Sequence, residues 1–136
     1  MKPIVVLDTN IHISSIFWDG GPYAIAKMAI DQNLTIFSSN PILDEIRKVL
    51  KRDFALSKQE IEDVIVSLMD FTNIVEPTEK LNIIKDDPPD DRILECAVSC
   101  KAQYIVSYNN HLLKLKEFRG IKILVPKDFL VIIRKK

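Results

Sequence analysis

The chain opens on Pro3-Ile4-Val5-Val6-Leu7, an unbroken apolar run with β-branched residues at its centre. Strict alternation would mark a strand with one wet face, whereas a continuous run marks a strand buried on both. Such a strand suits a parallel sheet with helices packed above and below it, which the rest of the chain must supply. The run stops at Asp8-Thr9-Asn10, three residues suited to capping a helix.

The rest of the chain keeps that alternation. Helices are expected over Ile11–Phe17, Tyr23–Ile30, Pro41–Leu50, Lys58–Phe71, Arg92–Lys101, His111–Leu115 and Pro126–Arg134. Between them fall strands at Leu34–Phe37, Asn73–Glu76, Tyr104–Ser107 and Ile121–Leu124. Asn40-Pro41 reads as cap and first helical residue. Ser57 with Glu60 three positions on reads as a capping box. Helices alternating with strands imply a three-layer α/β/α sandwich with a mainly parallel central sheet. At 136 residues the chain is one domain, and a domain of this size buries about two thirds of its unfolded surface.

Composition excludes some partners and favours none. Acids and bases number 19 each, so no global field draws nucleic acid or membrane, and such a partner must be met by local patches. Cys96 and Cys100 do not form a C-x-x-C pair and only two histidines are present, which argues for reduced thiols over structural zinc. IVVL is too short for a signal peptide and no segment has the length of a membrane span, so a cytoplasmic protein is expected. Phe17-Trp18 beside Asp19-Gly20-Gly21-Pro22 is expected to pack into the core, the alternative being an exposed apolar patch that meets a partner.

In open parallel sheets ligands bind beyond the carboxyl ends of the strands. The polar groups expected on that rim are Asp8 after the first strand, Ser38 after the second, Glu45 one turn into the following helix, Asp91 at the start of a later helix, and Asn109. Two carboxylates about 4 Å apart repel by roughly 4 kcal/mol at an effective dielectric of 20, so three gathered acids call for a cation. Oxygen donors with little histidine and no thiolate select Mg²⁺ or Mn²⁺. One such ion acidifies a water, and a second about 4 Å away stabilises a leaving oxygen, which together suit phosphodiester hydrolysis.

Four stretches, VLDTN (6–10), ILDEIRKVL (42–50), DPPDDRILECA (87–97) and YIVSYNNHLL (104–113), together with a closing GIKILVPKDFL, resemble the PIN-domain nucleases. The similarity is strongest to the toxin components of type II toxin–antitoxin systems and covers essentially the whole chain. The resemblance implies a metal-dependent endoribonuclease in which Asp8, Glu45 and Asp91 hold Mg²⁺ or Mn²⁺. Asn10, Ser38, Ser107 and Glu95 would support them. The fourth acid of the family is replaced by Asn109, which is expected to leave one ion bound firmly and a second weakly. Asp86, Asp87 and Asp90 are expected in a solvated acidic turn, with Asp90 capping the helix.

Arg47 and Lys51, with Lys48 and Arg52 on the same helix, and His111 are candidates for contacting RNA, single-stranded or structured. The resemblance further implies an antitoxin partner and a homodimer. An alternative keeps the fold as a catalytically weak RNA- or protein-binding module, motivated by the neutral Asn109. An aspartyl-phosphate phosphatase is disfavoured because Asn10 stands where that chemistry wants an acid.

Overall fold

The side chains of β1 (Ile4–Leu7) divide the core into two halves. A computed structural model describes residues 2–84 and 88–135. In it Val5 and Leu7 point to one face of the sheet and Val6 to the other, all three fully buried. The continuous apolar run is therefore explained by two apolar faces rather than one.

The remaining strands are β2 (Thr35–Ser38), β3 (Thr72–Ile74), β4 (Tyr104–Val106), β5 (Glu117–Phe118) and β6 (Ile121–Leu124). They form one sheet in the order β3-β2-β1-β4-β6-β5, parallel except for the β5–β6 pair. Seven helices are described: α1 (Thr9–Phe17), α2 (Gly21–Ile30), α3 (Asn40–Phe54), α4 (Lys58–Met69), α5 (Pro88–Ser99), α6 (Asn110–Leu113) and α7 (Pro126–Arg134). One face of the sheet packs Val6, Ile105 and Ile123 against α3, α4 and α5. The other packs Val5, Leu7, Ile36 and Val106 against α2 and α7. This is the expected three-layer sandwich with a mainly parallel sheet. Helix α1 leaves the top of β1 and reaches both halves, Ile11 joining one and Ile13 the other.

Several boundaries differ from expectation for identifiable reasons. Helix α5 starts at Pro88, a turn before Arg92, because proline suits a first turn and acids there complement the helix dipole. Asp90 is consequently a buried first-turn residue, 5% exposed, and neither the cap nor part of a solvated turn. Asp86 and Asp87 lie outside the described residues. Asn40 is the first residue of α3, with Ser39 in the cap position. The two-residue β5 carries no periodic signal. It is created by a tight hairpin in which Arg119 and Gly120 both have positive φ, 51° and 83°, as a two-residue hairpin turn requires.

The aromatic pair ending α1 is not core: Phe17 is 39% and Trp18 56% exposed. Both cysteines are free, Cys96 buried and Cys100 half-buried. None of the described helices is long and apolar enough to cross a membrane.

Candidate active site

From β1 the chain steps outward to β2 and β3, then returns to place β4 on the opposite side of β1. The strand order therefore reverses between β1 and β4, and a crevice opens beyond their carboxyl ends, where α/β sheets bind ligands. Asp8 is the first residue past β1 and Ser107 the first past β4.

The two are joined directly. Ser107 Oγ donates to Asp8 Oδ2 at 2.7 Å, and the Thr9 amide donates to Oδ1 at 2.7 Å as Asp8 caps α1. Asp8 is 7% exposed, and both of its carboxylate oxygens accept hydrogen bonds. Ser107 Oγ also accepts from the Asn109 amide at 2.8 Å, so one hydroxyl fixes both strand ends. Asn109 caps α6 through its Oδ1, which accepts from the His111 amide at 2.8 Å. Its Nδ2 is 3.4 Å from Asp90 Oδ1, toward which it donates.

Asp8, Glu45, Asp90 and Asn109 line one cavity of about 170 Å³. Asn10 and Val49 contribute to its wall, and Arg52 and Asp53 complete one side. Glu45, Val49 and Arg52 stand at i, i+4 and i+7 on α3, which puts them on one helix face. The Arg52 guanidinium holds Asp53 in a two-pronged pair, Nε to Oδ1 at 2.8 Å and an Nη to Oδ2 at 3.1 Å. Hydrogen bonding from Arg52 lowers the Asp53 carboxyl below its ordinary range. Asp53 in turn raises Arg52, with Glu45 a smaller electrostatic contributor.

Asp91 is directed elsewhere. It is 2% exposed, and its Oδ1 accepts from the amides of Ile83 and Ile84, both at 3.0 Å. Glu95 does similar work, accepting from the Leu81 amide at 2.8 Å and pairing with Arg92 at 2.9 Å. Residues 81–84 are irregular yet bury Leu81 and Ile84, so their amides need acceptors, and these two carboxylates supply them. The acid that α5 turns toward Asp8 is therefore Asp90. Adjacent helical residues differ by roughly 100° in direction, so only one of the pair faces the crevice.

Other predicted residues are also accounted for by position. Ser38 is fully buried, without a hydrogen-bond partner among the described residues, and does not line this cavity. Arg47 is engaged by Asp44 and Glu62, each at 2.9 Å, and braces α3 against α4 away from the cavity. Lys51 is exposed beside Arg52. His111 is 43% exposed at its side chain, with Nδ1 3.7 Å from Asp90 Oδ2. Arg52, expected among the groups that meet RNA, lines the site at i+7 from Glu45, and Asp53 beside it carries no sequence signal of that position.

A profile of the PIN domain family matches residues 4–111 of the chain. The chain belongs to the PIN domain family. No curated protein sequence is a significant match to it. Among solved structures, a chain of the VapBC2 complex from Rickettsia felis, crystallised with a DNA fragment from its promoter, superposes with a TM-score of 0.64 at 18% identity. That match covers 88% of this chain and 96% of the other. VapC20 of Mycobacterium tuberculosis, a toxin that cleaves the sarcin–ricin loop, gives 0.56 at 10% identity over 87% and 98%. The PIN domain of RRP44 from T. brucei gives 0.56 at 12% identity over 99% and 83%.

Proposed function

We propose that the chain is a Mg²⁺- or Mn²⁺-dependent ribonuclease, with Asp8, Glu45 and Asp90 holding the metal. The observation that carries this reading is that three acids from separate parts of the chain line one crevice at the sheet's switch point. The donor set suits a hard cation, since the acids bring only carboxylate oxygens to it. Among the described residues no three acids, histidines or cysteines cluster closely enough to ligate one ion directly. That spacing accords with Mg²⁺, which takes one or two carboxylates and keeps several waters. An ion held there supplies positive charge beside the phosphate and a water acidified toward neutral pH.

The chain's own residues orient the site. Ser107 and the Thr9 amide hold the Asp8 carboxylate at the wall of the crevice. Asn109 bridges the end of β4 to Asp90 and adds no charge to the cluster. Arg52, on the cavity wall, has its Nε and one Nη on Asp53 and its other Nη available to a substrate phosphate. The setting we infer is a cytoplasmic toxin with an antitoxin partner, acting as a homodimer on single-stranded RNA. The likeness to VapC20 and to the VapBC2 complex supports that setting through the shared fold.

Purified protein should cleave a single-stranded RNA with Mn²⁺ and stop when EDTA removes the metal. Asp8→Asn and Asp90→Asn should each slow cleavage on the order of 100-fold. Cleavage indifferent to EDTA would sink the metal reading. RNA bound but never cut would leave a binding module instead.

A further inference from the structure

The exposed aromatic cluster at the far end of α1 stands on the two helices that also wall the crevice. Phe17 and Phe54 stack with centroids 5.3 Å apart, and Trp18 lies 6.0 Å from each of them. Helix α1 begins at Thr9 on the crevice wall and ends at Phe17, a run of roughly 12 Å at 1.5 Å per residue. Helix α3 runs beside it from Glu45, through Arg52 on the same wall, to Phe54. The two helices thus leave the crevice together and end in one group of rings, with Arg52 between the acids and the rings.

A tryptophan 56% exposed at a helix end loses apolar burial that the core would have given it. Phe54 is half-buried beneath and holds the cluster in place. The Arg52 side chain is 58% exposed and Lys51 is exposed beside it. Cations followed by an aromatic surface are the two parts of a single-strand binding track, one meeting phosphates and the other the flat faces of unpaired bases.

We infer that Trp18, seated on Phe17 and Phe54, is a base-stacking platform for single-stranded RNA, a few nucleotides from the cleaved bond, with Arg52 holding an intervening phosphate. This rests on the reading of the crevice as a ribonuclease site. It gives the site a preference for unpaired strands, because bases inside a duplex hide the faces that the platform needs. It reads no base identity, since every base has such a face.

Trp18 is the chain's one tryptophan, so its fluorescence reports the platform alone. The native protein is titrated in EDTA with a labelled 12-nucleotide single-stranded RNA and with its duplex, following Trp18 emission and RNA anisotropy together. Saturable quenching by the single strand alone is expected. Trp18→Ala should weaken binding about ten-fold and Trp18→Phe much less, with circular dichroism confirming that both variants fold. RNA bound with no change in Trp18 emission, or with equal affinity in Trp18→Ala, overturns the platform and leaves the nuclease reading standing. RNA bound neither in EDTA nor with Ca²⁺ in place of the catalytic metal overturns both. Unchanged RNA affinity in Trp18→Ala with loss of a dimer makes the patch a protein contact, and the inference falls.

Discussion

Asp90 and Asp91 are neighbours of the same chemistry with different tasks. Asp91 holds the half-buried Ile83 amide and the buried Ile84 amide of the irregular 81–84 segment, and Asp90 turns toward Asp8 and Asn109. Asp91→Ala leaves both amides without their acceptor and should lower unfolding stability by about 3 kcal/mol, measured by urea denaturation. Asp91→Asn keeps an oxygen there and should retain RNA cleavage within a few-fold. A wild-type denaturation midpoint for Asp91→Ala would show that the segment is held by other contacts. The resemblance points to Asp91 as the acid that opens the Ile-Leu-Glu-Cys-Ala helix. The helix starts at Pro88 and it is Asp90 that lines the cavity, since on a helix one residue is a different face. Asn109 was legible as the neutral corner, and its contact explains the neutrality. An acid there would set a second carboxylate against Asp90 at about the 3.4 Å now spanned by an amide hydrogen bond.

At the scale of elements, local signals were reliable where the chain itself completes the interaction. The capping box of α4 is present in both directions. Ser57 Oγ accepts from the Glu60 amide at 3.1 Å, and Glu60 Oε1 accepts from the Ser57 amide at 2.9 Å. The Ser57 amide, with a smaller contribution from the Ser57 hydroxyl, also lowers the Glu60 carboxyl below its ordinary range. Ser57→Ala should cost about 1 kcal/mol and lower Tm by a few degrees, read by thermal denaturation. No change in Tm would mean that α4 is held by its buried Ile61, Ile65 and Leu68 alone. Other element features depend on partners distant in sequence. Gly21 begins α2 where an added Cβ would stand 2.9 Å from Pro126 Cβ, so the close approach of α2 to α7 requires glycine there. Nothing near Gly21 in sequence announces that contact.

Across the whole molecule, one buried side chain links folding to acidity. His12 lies on α1 with no exposure, and neither ring nitrogen has a hydrogen-bond partner among the described residues. Burial lowers its pKa from 6.5 to about 4, because a charged imidazole there would lose its hydration. The unfolded chain takes up the proton at the higher pH, so stability is complete above pH 6.5 and declines as pH falls through 6.5 toward 4. That shift corresponds to about 3 kcal/mol. Urea unfolding of native protein and His12→Leu at pH 7.5 and 4.5 should differ by most of that amount, the native protein losing more on acidification. Equal losses would remove His12 as the source.

The layered α/β class was legible from residue types, because short apolar β-branched runs alternate with helical patterns along the whole chain. The sequence by itself also determined which chain ends carry polar groups, and the four stretches that resemble the PIN family, to which the chain belongs. Tertiary structure decided which acid of a pair enters the crevice, that Arg47 braces a neighbouring helix while Arg52 faces the site, and that Trp18 stays at the surface. These outcomes depend on the facing of helices and on the partners of distant loops. A pattern of residue types repeats along one element, but it does not state what another element brings to meet it.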